Sequence, residues 1–185
     1  MPGDHFDLIA GIYDRGAPFT PSRTLLEQLA LSSDNLLLDA GGGTGRVTTA
    51  LRSLVREAVV ADLSGGMLLR AAAKGLVTTR TPLEHLPFPS GTFDRIIMVD
   101  ALHHVLDQQQ TGNELWRVLT PGGRLVIVEP DIHKISVKIL ALGEKLLLMR
   151  SHFLSGEEIG RLFSEQEAQL SVTYDEGNTV ILIKK

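Results

Sequence analysis

Apolar runs of strand length alternate with helix-like stretches along most of the chain. Ser64 is suited to cap the helix that follows the second run, and Arg46 to about Leu54 has the pattern of the helix after the first. A further helix ends with Leu115–Leu119, where Pro121-Gly122-Gly123 is expected to terminate it. Five strands are predicted: Leu36–Ala40, Ala58–Ala61, Leu76–Thr79, Phe93–Val99 and Arg124–Glu129.

The strands are continuous apolar runs, as in Ile96-Ile97-Met98-Val99, and this indicates burial on both faces of a parallel sheet. Leu170–Tyr174 and Thr179–Ile183 flank Asp175-Glu176-Gly177-Asn178 and predict a hairpin, so that the last strand is antiparallel. We therefore expect an α/β fold with a doubly wound, mostly parallel seven-stranded sheet, an antiparallel last strand and helices on both faces.

Composition limits the classes of protein that remain. The 185 residues fit one domain, and the net charge of −4 argues against nucleic acid as a partner. There are no cysteines, which excludes disulfides and thiol nucleophiles. The first residues do not resemble a signal peptide, and no apolar run is long enough to cross a bilayer. A cytoplasmic protein without stable membrane insertion is expected, and its oligomeric state is not specified.

The first strand leads directly into Asp39-Ala40-Gly41-Gly42-Gly43-Thr44-Gly45-Arg46. In a doubly wound sheet this is the place where ligands bind. The loop lacks the Gly-Lys-Ser/Thr of a phosphate-binding loop, and G-x-G-x-x-G fails in both registers, which disfavours an NAD-dependent oxidoreductase. The remaining pattern, D-x-G-x-G-x-G, resembles the S-adenosylmethionine loop of class I methyltransferases. An acid at its start suits a cofactor that carries an ammonium group.

Asp62 ends the second strand, where a carboxylate can accept hydrogen bonds from both ribose hydroxyls. It can equally serve as an acid at the start of the helix beside Ser64. The two roles are compatible.

Further segments extend the resemblance in the expected order. They are Leu83-Glu84-His85-Leu86-Pro87-Phe88, Phe93-Asp94, Ala101-Leu102-His103-His104 and Arg117-Val118-Leu119-Thr120-Pro121-Gly122-Gly123. Together they are similar to the type 11 group, which includes the ubiquinone/menaquinone C-methyltransferases. The resemblance implies a Rossmann-like domain over residues 1–185 that uses S-adenosyl-L-methionine to methylate a small-molecule acceptor, with no metal.

The resemblance also implies site residues. Asp39, Ala40 and the backbone of Gly41, Gly43 and Gly45 would face the methionine end, and Asp62 would hold the ribose. Leu63 and Met67 would pack on the adenine, Leu83 and Glu84 would meet its edge, and Tyr13 would close over the cofactor. Pro82 departs from the group, which often has an acidic residue there to accept from the adenine amino group, and Glu84 is the candidate substitute.

Asp100, His103 and His104 follow the fourth strand and are the candidate catalytic residues. A general base is needed only if the acceptor must lose a proton, and histidine titrates near neutral pH. The alternative is that His103 shapes the pocket and His104 packs nearby. Glu129 ends the fifth strand at the same rim and is interpreted as a strand-end acid.

Two segments are expected to cover the site: residues 1–30 as helices over the cofactor, and residues 131–155 over the substrate. The second segment is equally compatible with a helix that only packs on the core. An alternative function remains open, namely a module that binds S-adenosylmethionine or S-adenosylhomocysteine with little or no catalysis. Pro82 is the feature that favours it.

Overall fold

The computed structural model describes residues 19–131, 152–175 and 177–185. The described strands are β1 (Leu36–Ala40), β2 (Glu57–Asp62), β3 (Val77–Arg80), β4 (Phe93–Val99), β5 (Leu119–Pro130), β6 (Gln169–Asp175) and β7 (Asn178–Lys184). The described α-helices are α1 (Arg23–Leu29), α2 (Arg46–Leu51), α3 (Gly65–Ala73), α4 (Gln108–Val118) and α5 (Gly156–Arg161). Short 3-10 helices cover Arg52–Leu54 and Leu102–His104.

The strands form one sheet in the order β3-β2-β1-β4-β5-β7-β6. The first five strands are parallel, and β7 is antiparallel to both β5 and β6. The predicted mostly parallel sheet with an antiparallel last strand is confirmed. Strand order reverses at β1, which lies between β2 and β4, and this reversal places a crevice beyond the carboxyl end of β1.

Both faces of the sheet are buried, which is why its strands are apolar at successive positions. In β1, Leu38 and Ala40 contribute to the core under α4 and α5. Leu37 contributes to the opposite core under α1 and α2. Because Asp39 has the same strand parity as Leu37, its side chain is directed to the α2 side of the sheet.

Side-chain caps fix where several helices begin. Ser22, Ser64 and Asp107 each accept a hydrogen bond from a backbone N–H in the first turn of α1, α3 and α4. Ser155 forms a reciprocal capping box with Glu158 at α5. Capping satisfies N–H groups that have no partner inside the helix. The expected cap at Ser64 is confirmed.

The region around Pro121 differs from the expectation. Pro121-Gly122-Gly123 was predicted to separate α4 from a strand that starts at Arg124, but α4 ends at Val118 and β5 begins directly at Leu119. Leu119 pairs with Phe93, and the register then shifts before Arg124 pairs with Arg95. Residues 120–123 stand opposite Asp94 alone, so β5 has three extra residues here, and the segment is part of the strand and not a connection. The helix does end before Pro121, as predicted. Because Leu119 pairs with Phe93 at the start of β4, however, the strand begins before Pro121-Gly122-Gly123 and includes these residues.

The two expected covering segments are described only in part. Residues 1–18 and 132–151 lie outside the described residues. Within the described part of the first segment, α1 buries Leu25 and Leu29 against the sheet. None of the described helices has the length and apolar character needed to cross a membrane.

Candidate active site

A cavity opens at the carboxyl ends of β1, β2 and β4, at the reversal of strand order. Its walls come from four stretches of chain: the glycine loop, the start of α3, residues 82–84, and the loop after β4. The lining residues are Asp39, 41–44, Arg46, Val47, 62–64, Met67, 82–84, 99–101 and 104–106. The cavity therefore lies where sequence analysis expected the ligand.

Asp39 lies beneath the glycine loop and is buried, with 1% of its surface exposed. Its Oδ2 accepts hydrogen bonds from the Thr48 backbone N–H at 3.2 Å and from the Thr48 hydroxyl at 2.5 Å. Burial raises the pKa of Asp39 to about 6, and the bonds from Thr48 oppose that rise. The residue holds the start of α2 against the end of β1, while its carboxylate still contributes to the cavity wall.

Glycine is required at different positions of this loop for different physical reasons. Gly41, Gly43 and Gly45 have positive φ angles of 73°, 54° and 72°, a region that favours glycine. A Cβ at Gly41 would lie 2.6 Å from the Cβ of Ala101, and one at Gly45 would collide with Leu76. Protein packing therefore demands glycine at these two positions. At Gly43 the described residues nearest to a Cβ would be Asp62 and Met67, each at 3.9 Å, so glycine here leaves space in the cavity.

Asp62 links the glycine loop to the start of α3. Its Oδ2 accepts from the Gly43 N–H and its Oδ1 from the Ser64 N–H, both at 2.8 Å. A carboxylate has about four lone-pair sites, so one such side chain can accept from several donors at once. Both roles foreseen for this residue, ribose acceptor and acid at a helix start, are geometrically compatible.

The side of the cavity formed by Leu63, Met67 and residues 82–84 is mainly apolar. Met67 and Leu83 are buried at 4% and 6% exposure, whereas Leu63 is 56% exposed at the rim. Pro82 also lines this side. The Oε1 of Glu84 accepts from the backbone N–H groups of Leu106 and Asp107, at 2.9 and 3.2 Å. The Glu84 side chain thus connects residues 82–84 to the loop that precedes α4.

The three candidate catalytic residues have different positions. Asp100 and His104 line the cavity, and Asp100 has a φ of 51°, which is rare for a non-glycine residue. His103 is buried at 4% exposure and is not among the lining residues. Its Nδ1 is hydrogen-bonded to Oε2 of Glu129, and its ring stacks on Phe153.

The half-buried His104 is electrostatically disfavoured as a cation. Burial, followed by the proximity of His103, lowers the pKa of His104 to about 4, although Glu129 has the opposite effect. The imidazole is therefore neutral at pH 7, where it can accept a proton or a hydrogen bond. A low pKa also makes it a weak base.

The structure brings most of the predicted site residues together. Asp39, Gly41, Gly43, Asp62, Leu63, Met67, Leu83, Glu84, Asp100 and His104 all line the cavity. Ala40, Gly45 and His103 are not among its lining residues, and Tyr13 lies outside the described residues. Sequence reasoning assigned no role to Arg46, which lines the cavity beside the glycine loop. Its position as the first residue of α2, directly after the loop, was the available signal.

The charges around the cavity suit a cationic ligand. Of the described lining residues, Asp39, Asp62, Glu84 and Asp100 are acidic, and Arg46 is basic. Such a wall repels a pyrophosphate and attracts a ligand with positive centres. Arg46 adds one place where a carboxylate could bind.

A second, smaller cavity adjoins the first. Val99 and Asp100 line both, and the second is completed by residues of the N-terminal segment and of the β6–β7 hairpin. Its polar groups come from Thr20, Ser22, Asp175 and Asn178 in addition to Asp100. Asp100 thus stands between two compartments at the same edge of the sheet.

Comparison with known proteins agrees with this architecture. Residues 38–127 match the family model described as a methyltransferase domain. The chain is 31% identical over 135 residues to a ubiquinone/menaquinone biosynthesis C-methyltransferase of Marinomonas sp., covering 67% of this chain and 54% of that protein. It is 34% identical over 124 residues to a demethylmenaquinone methyltransferase of Mycolicibacterium vanbaalenii, with the same shares covered. The chain therefore spans about half the length of the curated relatives it matches.

Solved structures share the fold at low sequence identity. One is in the complex between the Haloferax volcanii Trm112 methyltransferase activator and a putative methyltransferase, with a TM-score of 0.83 and 17% identity over 100% of this chain and 99% of that one. Another, from Thermotoga maritima, is described as a possible histamine N-methyltransferase, with a TM-score of 0.76 and 20% identity over 97% and 98% of the two chains.

The matched family model, the relatives and the fold are those of class I S-adenosylmethionine-dependent methyltransferases, and the chain belongs to that class. Within the class, it belongs to the type 11 group, as the sequence motifs predicted. The cofactor of the class is S-adenosyl-L-methionine. The residues present fit it, because the cavity is acidic, opens at Gly43 and has Asp62 at its wall.

Proposed function

We propose that this protein transfers a methyl group from S-adenosylmethionine to a small-molecule acceptor by in-line displacement. The observation that carries the proposal is the acidic cavity at the reversal of strand order, with Asp62 across from the glycine loop. A sulfonium and an ammonium group both favour such a wall over one built for phosphates.

Different residues would bind the different parts of the cofactor. Asp62 would accept from the ribose hydroxyls. The second carboxylate oxygen of Asp39, which receives no hydrogen bond from the described residues, would face the ammonium group, and Arg46 the carboxylate. The apolar side chains Leu63, Met67 and Leu83 would enclose the adenine. With Pro82 offering no side-chain acceptor, the edge of the adenine would depend on the backbone near Leu83 and Glu84.

When bound, S-adenosylmethionine supplies a methyl group on a positively charged sulfur, which is already a strong electrophile. The task left to the protein is orientation, which can account for most of the acceleration in such a displacement. Asp100 lines both cavities and His104 lines the cofactor cavity, and both would be suited to orient the acceptor. Neutral His104 can accept a proton from an acceptor hydroxyl or a hydrogen bond from it.

The second cavity is the proposed acceptor site. It adjoins the cofactor cavity at Val99 and Asp100, and its carboxylates, hydroxyls and amide favour an acceptor with hydrogen-bond donors. The relatives' names refer to ubiquinone and menaquinone biosynthesis and to demethylmenaquinone. A hydroquinone ring carries hydroxyl donors and is therefore the first acceptor to test, with C-methylation as the expected reaction.

Calorimetric titration with S-adenosylmethionine and S-adenosylhomocysteine tests the cofactor, with NAD as a decoy. We expect both cofactor forms to bind and NAD not to bind. Asp62→Ala should abolish binding, whereas Asp34→Ala, which changes an exposed aspartate, should not affect it. Absence of binding by the folded wild-type protein would overturn the proposal.

Transfer of a labelled methyl group to reduced demethylquinones, phenols and amines tests the reaction. We expect label to appear on a hydroquinone ring carbon. Label on an amine would retain the methyltransferase assignment and change the acceptor. Tight cofactor binding without transfer to any acceptor would favour a binding module with little catalysis.

A further inference from the structure

Glu129 holds the loop that leaves β4. It is the penultimate residue of β5 and is buried, with 3% of its surface exposed. Its Oε1 accepts from the backbone N–H groups of Ala101 and Leu102, at 3.0 and 2.8 Å. Its Oε2 is hydrogen-bonded to Nδ1 of His103. One carboxylate therefore binds three consecutive residues of the loop.

These three hydrogen bonds favour one conformation of the loop, because a buried carboxylate that lost them would be left without partners, at a cost in free energy. Charge-assisted bonds to two backbone N–H groups fix the course of the chain and not only one side chain. An ionised carboxylate can only accept, so with Glu129 ionised Nδ1 of His103 carries the proton of this hydrogen bond. Glu129 does not itself line the cofactor cavity.

The loop that Glu129 holds forms the wall opposite the glycine loop. The Cβ of Ala101 lies against Gly41, which has no room for a side chain. Ala101, His104, Val105 and Leu106 all line the cavity. A shift of this loop would therefore change the width of the cavity at Gly41.

On the side away from Glu129, the same loop contacts residues 152–153. Phe153 stacks on the His103 ring with a centroid distance of 4.2 Å and an interplanar angle of 16°. The His152 N–H donates to the His103 carbonyl at 2.8 Å. Gln108 Nε2 donates to the carbonyls of both Leu102 and His152, at 3.1 and 2.7 Å. Residues 152–153 are thus connected through His103 to Glu129.

We propose that Glu129 is a positioning residue of the cofactor site. It sets the cavity width through Ala101 and holds His103 in the Nδ1–H form against Phe153, without touching the ligand. The inference rests on the proposed function in that the ligand is S-adenosylhomocysteine. Its geometric part concerns only the protein's own atoms and can be tested separately.

Glu129→Gln is the informative variant. The glutamine oxygen can still accept from Ala101 and Leu102, but its amide group must donate to Nδ1 of His103. We expect the imidazole proton to move to Nε2, which nitrogen-15 NMR of the ring reports directly. We also expect S-adenosylhomocysteine to bind less tightly, and Glu129→Ala to weaken binding by about tenfold or more, as small misplacements of a site do.

Two controls distinguish positioning from general stability. Glu157→Gln makes the same chemical change at an exposed site of α5. Ile183→Val removes a methyl group from the core beside the middle of β5, where Ile183 pairs with Leu125, and so lowers stability away from the cavity. Both should keep wild-type affinity for S-adenosylhomocysteine. Glu129→Gln should lose affinity at temperatures where its fold is intact.

The outcomes separate the two proposals. If the wild type binds and Glu129→Gln and Glu129→Ala bind equally well, the positioning role is wrong and the proposed function stands. If Glu129→Ala does not fold, Glu129→Gln provides the comparison. If the wild type does not bind, the proposed function fails, and the His103 ring spectrum still decides the geometric part. An unchanged tautomer in Glu129→Gln would overturn it.

Discussion

Asp39 accepts two hydrogen bonds from Thr48, one from the backbone N–H and one from the hydroxyl, and both reach the same carboxylate oxygen. The carboxylate is thereby fixed beneath the glycine loop, and burial raises its pKa to about 6 from a usual value of 3.8. A buried charge in this position costs stability, and in the proposed function it would face the ammonium group of the cofactor. Stability and binding should therefore respond in opposite directions when it is neutralised.

The first prediction concerns Asp39→Asn. The folded pKa is raised, so the ionised carboxylate destabilises the fold: the cost is absent below about pH 3.8, grows up to about pH 6 and is complete above it. The full cost is on the order of 3 kcal/mol. Asparagine can keep the Thr48 bonds without the charge. We expect a higher free energy of unfolding at pH 7.5, measured by urea denaturation, and weaker binding of S-adenosylmethionine. Lower stability in the variant at pH 7.5 would contradict this account.

The wild type should also bind its cofactor in a pH-dependent manner. Since the ammonium group favours ionised Asp39, affinity for S-adenosylhomocysteine should fall as the pH drops through about 6. Calorimetry between pH 5 and 8 measures this. Asp39→Asn should bind more weakly and with a flatter pH profile, and an equally steep profile in the variant would assign the dependence to another group.

Gly41→Ala tests the contact between the glycine loop and Ala101. The alanine would adopt a φ of 73° and its Cβ would lie 2.6 Å from the Cβ of Ala101. Strain and overpacking together should destabilise the fold by about 2–4 kcal/mol. Ala101→Gly in the same chain should recover the overpacking part only.

Gly91→Ala is the matched control for that experiment. Gly91 has a φ of 64°, and a Cβ there would meet no atom of the described residues within 4 Å. It should show only the backbone strain, about 1–2 kcal/mol. Equal losses in thermal denaturation for Gly41→Ala and Gly91→Ala would mean that the Ala101 contact is relaxed at no cost.

Glu84 should support cofactor binding by holding the loop before α4 in place, and its negative charge should not be needed for this. Its Oε1 accepts from Leu106 and Asp107, which flank the cavity. Glu84→Ala leaves both N–H groups without this partner, and we expect weaker binding of S-adenosylhomocysteine. Glu84→Gln retains the accepting oxygen and should recover most of the affinity in calorimetry. Failure of glutamine to recover it would indicate that the negative charge itself contacts the ligand.

The lowered pKa of His104 predicts the pH at which the rate of methyl transfer should decline on the acid side. With its pKa lowered to about 4, His104 stays deprotonated down to that pH. At saturating S-adenosylmethionine, where weaker cofactor binding below pH 6 has no effect, a rate that depends on His104 as a base should fall only as the pH drops through about 4. An ordinary histidine would give a decline near pH 6.5. Rates of methyl transfer at saturating cofactor across pH 3–8 for the wild type and His104→Gln provide the measurement. A decline near pH 6.5 that persists in His104→Gln would assign the base elsewhere.

Several features could be predicted from the sequence because their causes are local. Continuous apolar runs specify strands buried on both faces, and the Asp175–Asn178 segment specifies a hairpin, since each pattern depends on neighbouring residues. The glycine loop was recognisable because its conformation requires glycine at fixed spacing directly after a strand.

The class of fold, the position of the cavity and most of its lining residues followed from sequence patterns alone. The contacts that these residues make depend on packing between distant parts of the chain. His103 turns to Glu129 and not to the cavity, Glu84 binds the backbone of the opposite loop, and Asp39 acquires a pKa near 6. Each of these depends on groups that are distant in the chain and close only after packing, and burial and hydrogen-bond partners, which set charge and orientation, do not exist until the strands are assembled.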